Sequence, residues 1–407
     1  MTKLEELIKE FCPNGVEYKR ISEFTKLLRG KRLTKSQLIE NGKYAVYHGS
    51  LVPLGYYNEA NRDSGVIIVN TGGIGGVGYS DTPFWCSDGC FCLDHSSKMV
   101  DKYVYYALVG FKDYLISRTR VGGVPTIDSD TVLSIKIPLP ALPVQREIVR
   151  ILDSFTLYSA ELTAELTARR KQYEFYRDKL LNFDHVQYKE VALLELLCQS
   201  ITDGPHETPV FVDSGIPFIS AEAIHDTRID FSKIRGFISS EYNEQCNKKY
   251  KPQINDVFMV KSGSTTGKVA MVTDSREFNI WSPIAAMRTN ESLLPRYLFY
   301  ILQTKDIQNQ VVKYASNGSQ PNLSMRKLEQ FRIKVPPIEV QERIVKVLDN
   351  FDAICSDLGI GLPAEIEKRQ KQYEYYREKL LTFDNKFATI LDRQTDRQTD
   401  RQTDRSN

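Results

Sequence analysis

The stretch KQYEFYRDKLLNFD, Lys171–Asp184, returns almost unchanged as KQYEYYREKLLTFD, Lys371–Asp384. Eleven of the fourteen positions are identical, and the other three are conservative exchanges. The repeat extends upstream, since VQREIVRILDSF, Val144–Phe155, matches VQERIVKVLDNF, Val340–Phe351. The chain is therefore an internal duplication in which each half contains a variable segment followed by a shared helical segment.

The helical segment carries apolar residues at alternating spacings of four and three, which is typical of a coiled coil. These residues include Val144, Ile148, Ile151, Phe155, Tyr158 and Leu162. One continuous helix over 144–183 would be about 60 Å long, longer than a small domain is wide. We therefore expect the two helices to pack on each other, and an antiparallel pairing would give the halves a pseudo-two-fold axis. An ordinary amphipathic helix on a globular core is the alternative.

The variable segments have a mixed α/β pattern. GVIIVNTGG (65–73) and NDVFMVKSG (255–263) are apolar runs rich in β-branched residues that end in glycine, which predicts strands. YVYYAL (103–108) and YLFYIL (297–302) have helical spacing. The fold class predicted is thus α/β (α+β), with two α/β domains joined by two long helices. The predicted boundaries are 1–140 and 185–337 for the domains, 141–184 and 338–385 for the helical spacers, and 386–407 for a disordered tail.

Composition narrows the class of protein. The 407 residues are 41% hydrophobic and 26% charged, with a net charge of only +2, so a nucleic-acid-binding surface would have to be local. There is no run of eighteen apolar residues, and the charged start MTKLEELIKE is unlike a signal peptide. Seven sparse cysteines suit a reducing compartment, so a cytoplasmic location without membrane association is expected.

Two glycine-rich turns follow the predicted strands at equivalent places. SGSTTGKV (262–269) resembles a phosphate loop, but a serine stands at the first glycine position and valine follows the lysine, so a nucleotide site is not expected. Glycine turns let a backbone approach phosphate and expose N–H donors. The candidate DNA contacts here are Thr71, Gly72, Gly73, Lys261, Ser262, Ser264, Thr265 and Lys268. The alternative is a plain tight hairpin.

Basic and amide side chains provide further candidates for contacts with phosphates or base edges. The segment KLLRGKRLTK (26–35) has five basic residues and no acidic one, and RTRVGG (118–123) and YASNGSQ (314–320) occupy corresponding places in the two halves. The candidates are Arg29, Lys31, Arg32, Lys35, Arg118, Arg120, His206, Asn317 and Gln320. The alternative is a solvated polar surface.

No catalytic or metal-binding pattern emerges. Cys86, Cys90, Cys92 and His95 lie close together, but their spacing is not that of a zinc knuckle, and the matching region of the second half has no cysteine, so packing roles are expected. Motifs for methyl transfer, nuclease or helicase chemistry are missing. This favours a recognition subunit without its own catalysis.

The C-terminal tail repeats Asp-Arg-Gln-Thr without an apolar stripe, which predicts disorder. The tetranucleotide GACA, repeated, encodes this tetrapeptide in all three frames. A slippage-prone DNA repeat that causes phase variation is therefore our hypothesis, and mixed codon use across the tract in the gene would refute it. A frayed terminus without a function is the alternative.

The doubled helical motifs resemble the two conserved regions of the specificity subunit of type I restriction–modification systems. The resemblance covers roughly residues 1–385. It implies two target-recognition domains that read the halves of a split, asymmetric site in double-stranded DNA. It also implies that the helices form a coiled-coil spacer and bind two modification (methyltransferase) subunits, with restriction subunits as further partners. S-adenosylmethionine, ATP and Mg would then be bound by the partner subunits, and no cofactor or metal by this chain.

The duplicated helix motif supplies the candidate partner contacts, namely Tyr173, Tyr176, Arg177, Tyr373, Tyr376 and Arg377. A coiled-coil scaffold that holds proteins without binding DNA is the alternative function.

The two spacers differ in one respect. AELTAELTA (160–168) predicts a continuous helix, whereas SDLGIGLPAEI in the second copy contains Gly359, Gly361 and Pro363. Glycine and proline should break the second helix near Leu358–Leu362 and let it restart at Pro363.

Overall fold

A computed structural model describes most of the chain as two compact units. The described residues are 2–120, 122–182, 187–225, 227–316, 320–356 and 361–383. The first unit contains the residues up to Glu161 and those from Glu367 onward, and the second contains Leu162–Ile366. The Asp-Arg-Gln-Thr tail and Asn317 lie outside the described residues. The domain boundaries drawn from the sequence stay a prediction, because the two compact units divide within both helical segments and not at the ends of these segments.

The first unit begins with a short helix whose first turn is capped by the Thr2 hydroxyl and the Glu5 carboxylate. Its elements are α1 (Lys3–Phe11), β1 (Tyr18–Arg20), β2 (Leu27–Arg29), β3 (Tyr44–Tyr47), β4 (Gly55–Tyr57), β5 (Gly65–Val69), β6 (Val77–Ser80), β7 (Phe84–Cys86), β8 (Cys90–Leu93), α2 (Asp101–Val109), α3 (Lys112–Ser117), α4 (Ser129–Leu133), β9 (Lys136–Pro138) and the first half of α5 (Leu142–Leu180). The strands form an antiparallel sheet of order β2-β8-β5-β6, a three-stranded sheet of order β4-β3-β7, and the pair β1-β9.

The second unit repeats this plan. Its elements are the second half of α5, β10 (Lys189–Ala192), β11 (Thr202–Asp203), β12 (Ile216–Ile219), β13 (Ile224–His225), β14 (Arg228–Ile229), β15 (Gly236–Ile238), α6 (Ser240–Lys249), β16 (Val257–Val260), β17 (Val269–Met271), β18 (Asn279–Ile280), β19 (Ile284–Met287), α7 (Pro295–Ile301), α8 (Lys305–Tyr314), α9 (Met325–Glu329), β20 (Arg332–Val335), α10 (Ile338–Ser356) and the start of α11 (Leu362–Thr382), most of which belongs to the first unit. Sheets of order β11-β19-β16-β17 and β15-β12-β18 correspond to the two larger sheets of the first unit. The α/β fold predicted for both halves is confirmed.

The predicted strands and helices of the globular parts are present. Strands β5 and β16 are buried along their whole length, as their continuous β-branched and apolar sequences predict. Helix α2 presents Tyr103 and Leu108 to the core of the first unit, and α7 presents Tyr297 and Leu302 to that of the second.

A buried glutamine anchors the start of each long helix. Gln145, fully buried, accepts a hydrogen bond from the Val100 amide at 2.7 Å and donates to the carbonyls of Lys98 and Pro140. Gln341 makes the same set of bonds in the second unit, beginning with the Leu294 amide at 2.9 Å. These bonds satisfy the buried amides and fix each helix to the loop before α2 or α7.

Within each unit, parts of the two helical segments pack antiparallel. In the first unit Phe155 stacks on Tyr376 with ring centroids 5.3 Å apart, and Arg369 lies over the ring of Tyr158. In the second unit Tyr176 stacks on Phe351 at 5.9 Å. The apolar stripe predicted from the spacing is therefore used for helix–helix packing as well as for the globular cores.

The two spacers differ as the sequence predicts. Helix α5 runs without interruption through 160–168 and has 39 residues, or about 58 Å at the usual rise. In the second segment α10 ends at Ser356 and α11 begins at Leu362, one residue before Pro363, while Leu358 and Gly359 of the predicted break lie outside the described residues. Proline fits there because the first turn of a helix does not need its N–H.

Candidate nucleic-acid interface

In the first unit, two loops predicted to touch DNA lie side by side. The amide of Gly72 donates to the Pro125 carbonyl at 3.1 Å, while Thr71 and Arg120 both form bridges with Thr126. Gly72 has a φ of +82°, which favours glycine at this turn. The structure thus brings the Thr71–Gly73 turn next to the loop that carries Arg120.

The second unit repeats this contact with different residues. The amide of Gly263 donates to the Pro321 carbonyl at 3.0 Å, and Ser262 forms a bridge with Asn322. The exposed side chain of Gln320 therefore lies on the loop that adjoins the 262–268 turn. Pro125 and Pro321 therefore occupy equivalent places in the two units.

The phosphate-loop resemblance has a structural explanation. Residues 261–268 connect β16 to β17, which are antiparallel neighbours paired through Met259 and Val269. A nucleotide-binding phosphate loop leads instead from a strand into a helix whose N-terminus faces the phosphates. The turn is therefore a hairpin, with Ser264 and Lys268 exposed and Ser262 and Thr265 half-buried.

Lys261 corrects a prediction made from the sequence. It is only 8% exposed, and its Nζ lies 3.2 Å from Oδ2 of Asp203. A direct contact with a DNA phosphate does not fit a buried ammonium group that already faces a carboxylate.

The basic segment of the first unit includes edge strand β2 and lies on the surface. Arg29, Lys31, Arg32 and Lys35 are all exposed. The turn is held at Gly30, where an added Cβ would lie 1.9 Å from the Ser87 carbonyl oxygen. Only glycine fits, and the side chains on either side of it are directed to solvent.

The second unit has an equivalent turn whose flanking side chains are different. At Gly204, after edge strand β11, an added Cβ would lie 1.8 Å from the Ile280 carbonyl oxygen. Asp203 precedes this glycine and His206 follows it, where the first unit has Arg29 and Arg32. The sequence did not reveal this correspondence, because the two turns share little beyond the glycine.

The other predicted basic and polar candidates lie on the surface. His206 is exposed and its Nε2 lies 3.3 Å from Asp203 Oδ2. Arg118 is exposed and lies over the ring of Tyr114, and Arg120 is exposed and pairs with Asp128.

Sequence reasoning missed Asp203. Lys249 ends helix α6, and its Nζ lies 2.6 Å from Asp203 Oδ1. Burial raises the pKa of Asp203, but the ammonium groups of Lys249 and Lys261 outweigh it, so the net pKa lies below its ordinary value. A buried aspartate has no sequence signal of its own, because its partners come from distant segments.

The predicted partner-binding residues divide into buried and accessible ones. The buried side chains are Tyr173, Arg177 and Tyr376. These three pack inside their own units, which does not fit a direct contact with a separate chain. Tyr176 is 39% exposed, while Tyr373 and Arg377 are half-buried.

The clustered cysteines of the first unit pack in the core, as predicted. Cys86, Cys90 and Cys92 are buried in the first unit, and His95 pairs with Asp101 instead. Among the described residues, no group of histidine, cysteine or acidic side chains is arranged to hold a metal ion. The part of the chain that the structure describes has no helix both long and apolar enough to span a membrane.

Comparisons with known proteins agree with the duplicated architecture. A family model for the type I restriction modification DNA specificity domain matches residues 13–169 and 211–368. The EcoR124I/EcoR124II specificity subunit of Escherichia coli is 34% identical over 299 residues, covering 70% of this chain and 72% of that protein. A type I restriction enzyme specificity subunit of Haemophilus influenzae is 29% identical over 405 residues, covering 94% and 98%.

A solved structure shares the fold. The S subunit of a type I restriction–modification system from M. genitalium aligns with a TM-score of 0.56 at 17% identity, covering 90% of this chain and 97% of that one. Two copies of the family model and relatives that match over most of their length lead to one conclusion: the chain belongs to the family of non-catalytic specificity subunits of type I restriction–modification systems.

Proposed function

We propose that this chain reads a bipartite, asymmetric site in double-stranded DNA, one half-site with each unit. One observation carries the proposal: the two units repeat the same turns, but the side chains on them differ. The turn at Gly30 carries Arg29 and Arg32, and the turn at Gly204 carries Asp203 and His206. Two units that share the same backbone turns but carry different side chains on them are suited to recognise two different base sequences.

Cationic and hydrogen-bonding groups on these turns are suited to the two tasks of DNA binding. Exposed lysines and arginines attract backbone phosphates, which positions the protein on the duplex. Gln320 and the arginines beside the glycine turns have the geometry to read base edges. Each unit would thus combine positioning contacts with a small number of base contacts.

The helical segments are proposed to dock two modification subunits. Phe175 and Tyr375 occupy the same position in the two copies of the motif, and they are 61% and 45% exposed. Exposed aromatic residues are common anchors in protein interfaces. Two corresponding anchors would suit two copies of one methyltransferase, and restriction subunits would join that assembly. S-adenosylmethionine, ATP and Mg would be bound by those partners.

The alternative, a coiled-coil scaffold without DNA binding, predicts a different result in one experiment. The full chain, assembled with its methyltransferase partner, is titrated with duplex DNA at several salt concentrations. The proposal predicts that the logarithm of the association constant falls linearly with the logarithm of salt concentration. Binding that is absent, or equal to that of the methyltransferase alone, would favour the scaffold.

A further inference from the structure

Four side chains of the second unit form a compact charged cluster around Asp203. The ammonium groups of Lys249 and Lys261 lie 2.6 Å and 3.2 Å from its two carboxylate oxygens, and the imidazole of His206 lies 3.3 Å away. Two permanent positive charges therefore meet one negative charge. The cluster has an excess of one positive charge even when His206 is neutral.

The members of the cluster differ in their access to solvent. The Lys261 side chain is 10% exposed and that of Asp203 is 1% exposed, so these two form the internal part. The Lys249 side chain is 50% exposed and that of His206 is 71% exposed. The excess positive charge is therefore presented at the surface by Lys249, and both exposed side chains contact a buried carboxylate.

A cavity adjoins the exposed face of this cluster. Its volume is about 180 Å³, several times the ~30 Å³ that one water molecule occupies in the liquid. Its lining includes Asp203, Lys249, Tyr242, Gln245 and Asn279. Lys249 thus lies at the edge of this recess.

The backbone around Asp203 is constrained. Strand β11 pairs Asp203 with Ala285, and the next residue must be glycine because of the Ile280 carbonyl. Lys249 also lies 3.4 Å from the Gly204 carbonyl oxygen. The carboxylate is thus fixed by the sheet, and Lys249 is fixed by two acceptors on the same turn.

We propose that Asp203 is a positioning residue that holds Lys249 and His206 at a DNA backbone phosphate, with Lys261 as its internal counter-ion. The inference rests on the proposed DNA-recognition function. A carboxylate close to a phosphate is repulsive by itself. A buried carboxylate beneath this surface favours phosphate binding only if its ordering of the two cations outweighs that repulsion.

The first test compares lysines on the same helix. The probe is a duplex that contains the motif methylated by the full chain assembled with its methyltransferase partner. Lys249→Ala should weaken binding of this duplex by that assembly about tenfold. It should also flatten the salt slope by about one. Lys249→Arg should keep the slope. Lys248→Ala removes the same charge one residue earlier, at an exposed position, and should leave affinity and slope unchanged. Equal effects of the two alanine variants would overturn the proposal.

The second test separates positioning from charge. The double variant Asp203→Asn with Lys261→Met removes one charge of each sign, so the excess positive charge is unchanged. Replacement of a buried ion pair in this way is usually tolerated, and the thermal unfolding profile checks this. If Asp203 positions Lys249, affinity for the duplex should fall about three- to tenfold. Wild-type affinity in a folded double variant would overturn the proposal.

The two proposals fail in different ways. If the wild-type assembly shows no salt-dependent DNA binding, the proposed function fails and this inference falls with it. If the wild-type assembly binds and the variants match it, only the role of Asp203 and Lys249 is refuted.

Discussion

Tyr300 donates a hydrogen bond of 2.5 Å from its hydroxyl to Oδ1 of Asp349. The first unit repeats this contact between Tyr106 and Asp153, also at 2.5 Å. In each unit the tyrosine belongs to a helix of the globular part, and the aspartate belongs to a long helix. The bond therefore joins the domain to the spacer at the same place in both halves of the duplication.

Tyr300→Phe should lower the free energy of unfolding of the second unit by about 1–2 kcal/mol, because a buried hydroxyl bonded to a carboxylate is lost. Asp349 keeps its ion pair with Arg296, whose Nε lies 2.6 Å from Oδ1. Tyr314→Phe, at a ring packed on Phe331, is the matched control. Chemical denaturation followed by a probe in the second unit measures both. Equal stability of the two variants would show that the Tyr300 bond contributes nothing.

The glycine turns give a prediction about sterics. Gly30→Ala and Gly204→Ala each place a methyl group within 2 Å of a carbonyl oxygen, so the turn must move. We expect a loss of stability of about 2–3 kcal/mol or more in each case. Gly122→Ala is the control, since no atom lies within 4 Å of its added Cβ. The melting temperatures of the three variants measure this loss of stability. A wild-type melting temperature for Gly204→Ala would contradict the predicted clash with the carbonyl oxygen.

Cysteine reactivity tests the packing role of the cluster in the first unit. Burial raises the pKa of the Cys90 thiol to about 12, so it stays protonated and unreactive near pH 8. Cys198 is exposed. Iodoacetamide should therefore label Cys198 in the native protein and reach Cys86, Cys90 and Cys92 only after unfolding, as mass spectrometry of the peptides would show. Labelling of these three that increases with a chelator would instead indicate a metal site.

The continuous α5 leads to a prediction about spacing. A third Ala-Glu-Leu-Thr unit within 160–168 would lengthen the helix by about 6 Å, close to two base pairs at ~3.4 Å each. We expect the variant, in cells with its partner subunits, to methylate a site whose half-sites are unchanged but whose spacer is longer. Thr167→Ala removes a hydroxyl on this helix without altering its length and should keep the original spacer. Altered bases within either half-site would refute the prediction.

Much of the fold follows from the duplicated sequence, because each helix or strand can be predicted from two copies of the repeat. The correspondence of 118–123 with 314–320, drawn from the sequence, agrees with the structure, since Pro125 and Pro321 just after these segments each accept a hydrogen bond from the glycine turn of their own unit. The sequence of 160–168 correctly predicted a continuous helix, and Pro363 lies in the first turn of a new helix, as expected. Both depend on local backbone preferences, which a sequence carries directly.

The environment of charged side chains did not follow from the sequence. Lys261 follows a strand and precedes a glycine turn, which suggested exposure, but Asp203 approaches it from another strand and holds it inside. Tyr376 looked available to a partner because it lies in a charged helix, yet the ring of Phe155 covers it. In both cases a distant segment of the chain decides the burial, and no local pattern encodes that.

The central claim is that the two units read two different half-sites for one methyltransferase assembly. Methylome sequencing of cells that carry this gene with its partner subunits tests it most directly. The account predicts one asymmetric motif, made of two short, unlike half-sites separated by a spacer of fixed length and free sequence. A palindromic motif, a single uninterrupted one, or no methylation that depends on this gene would contradict it.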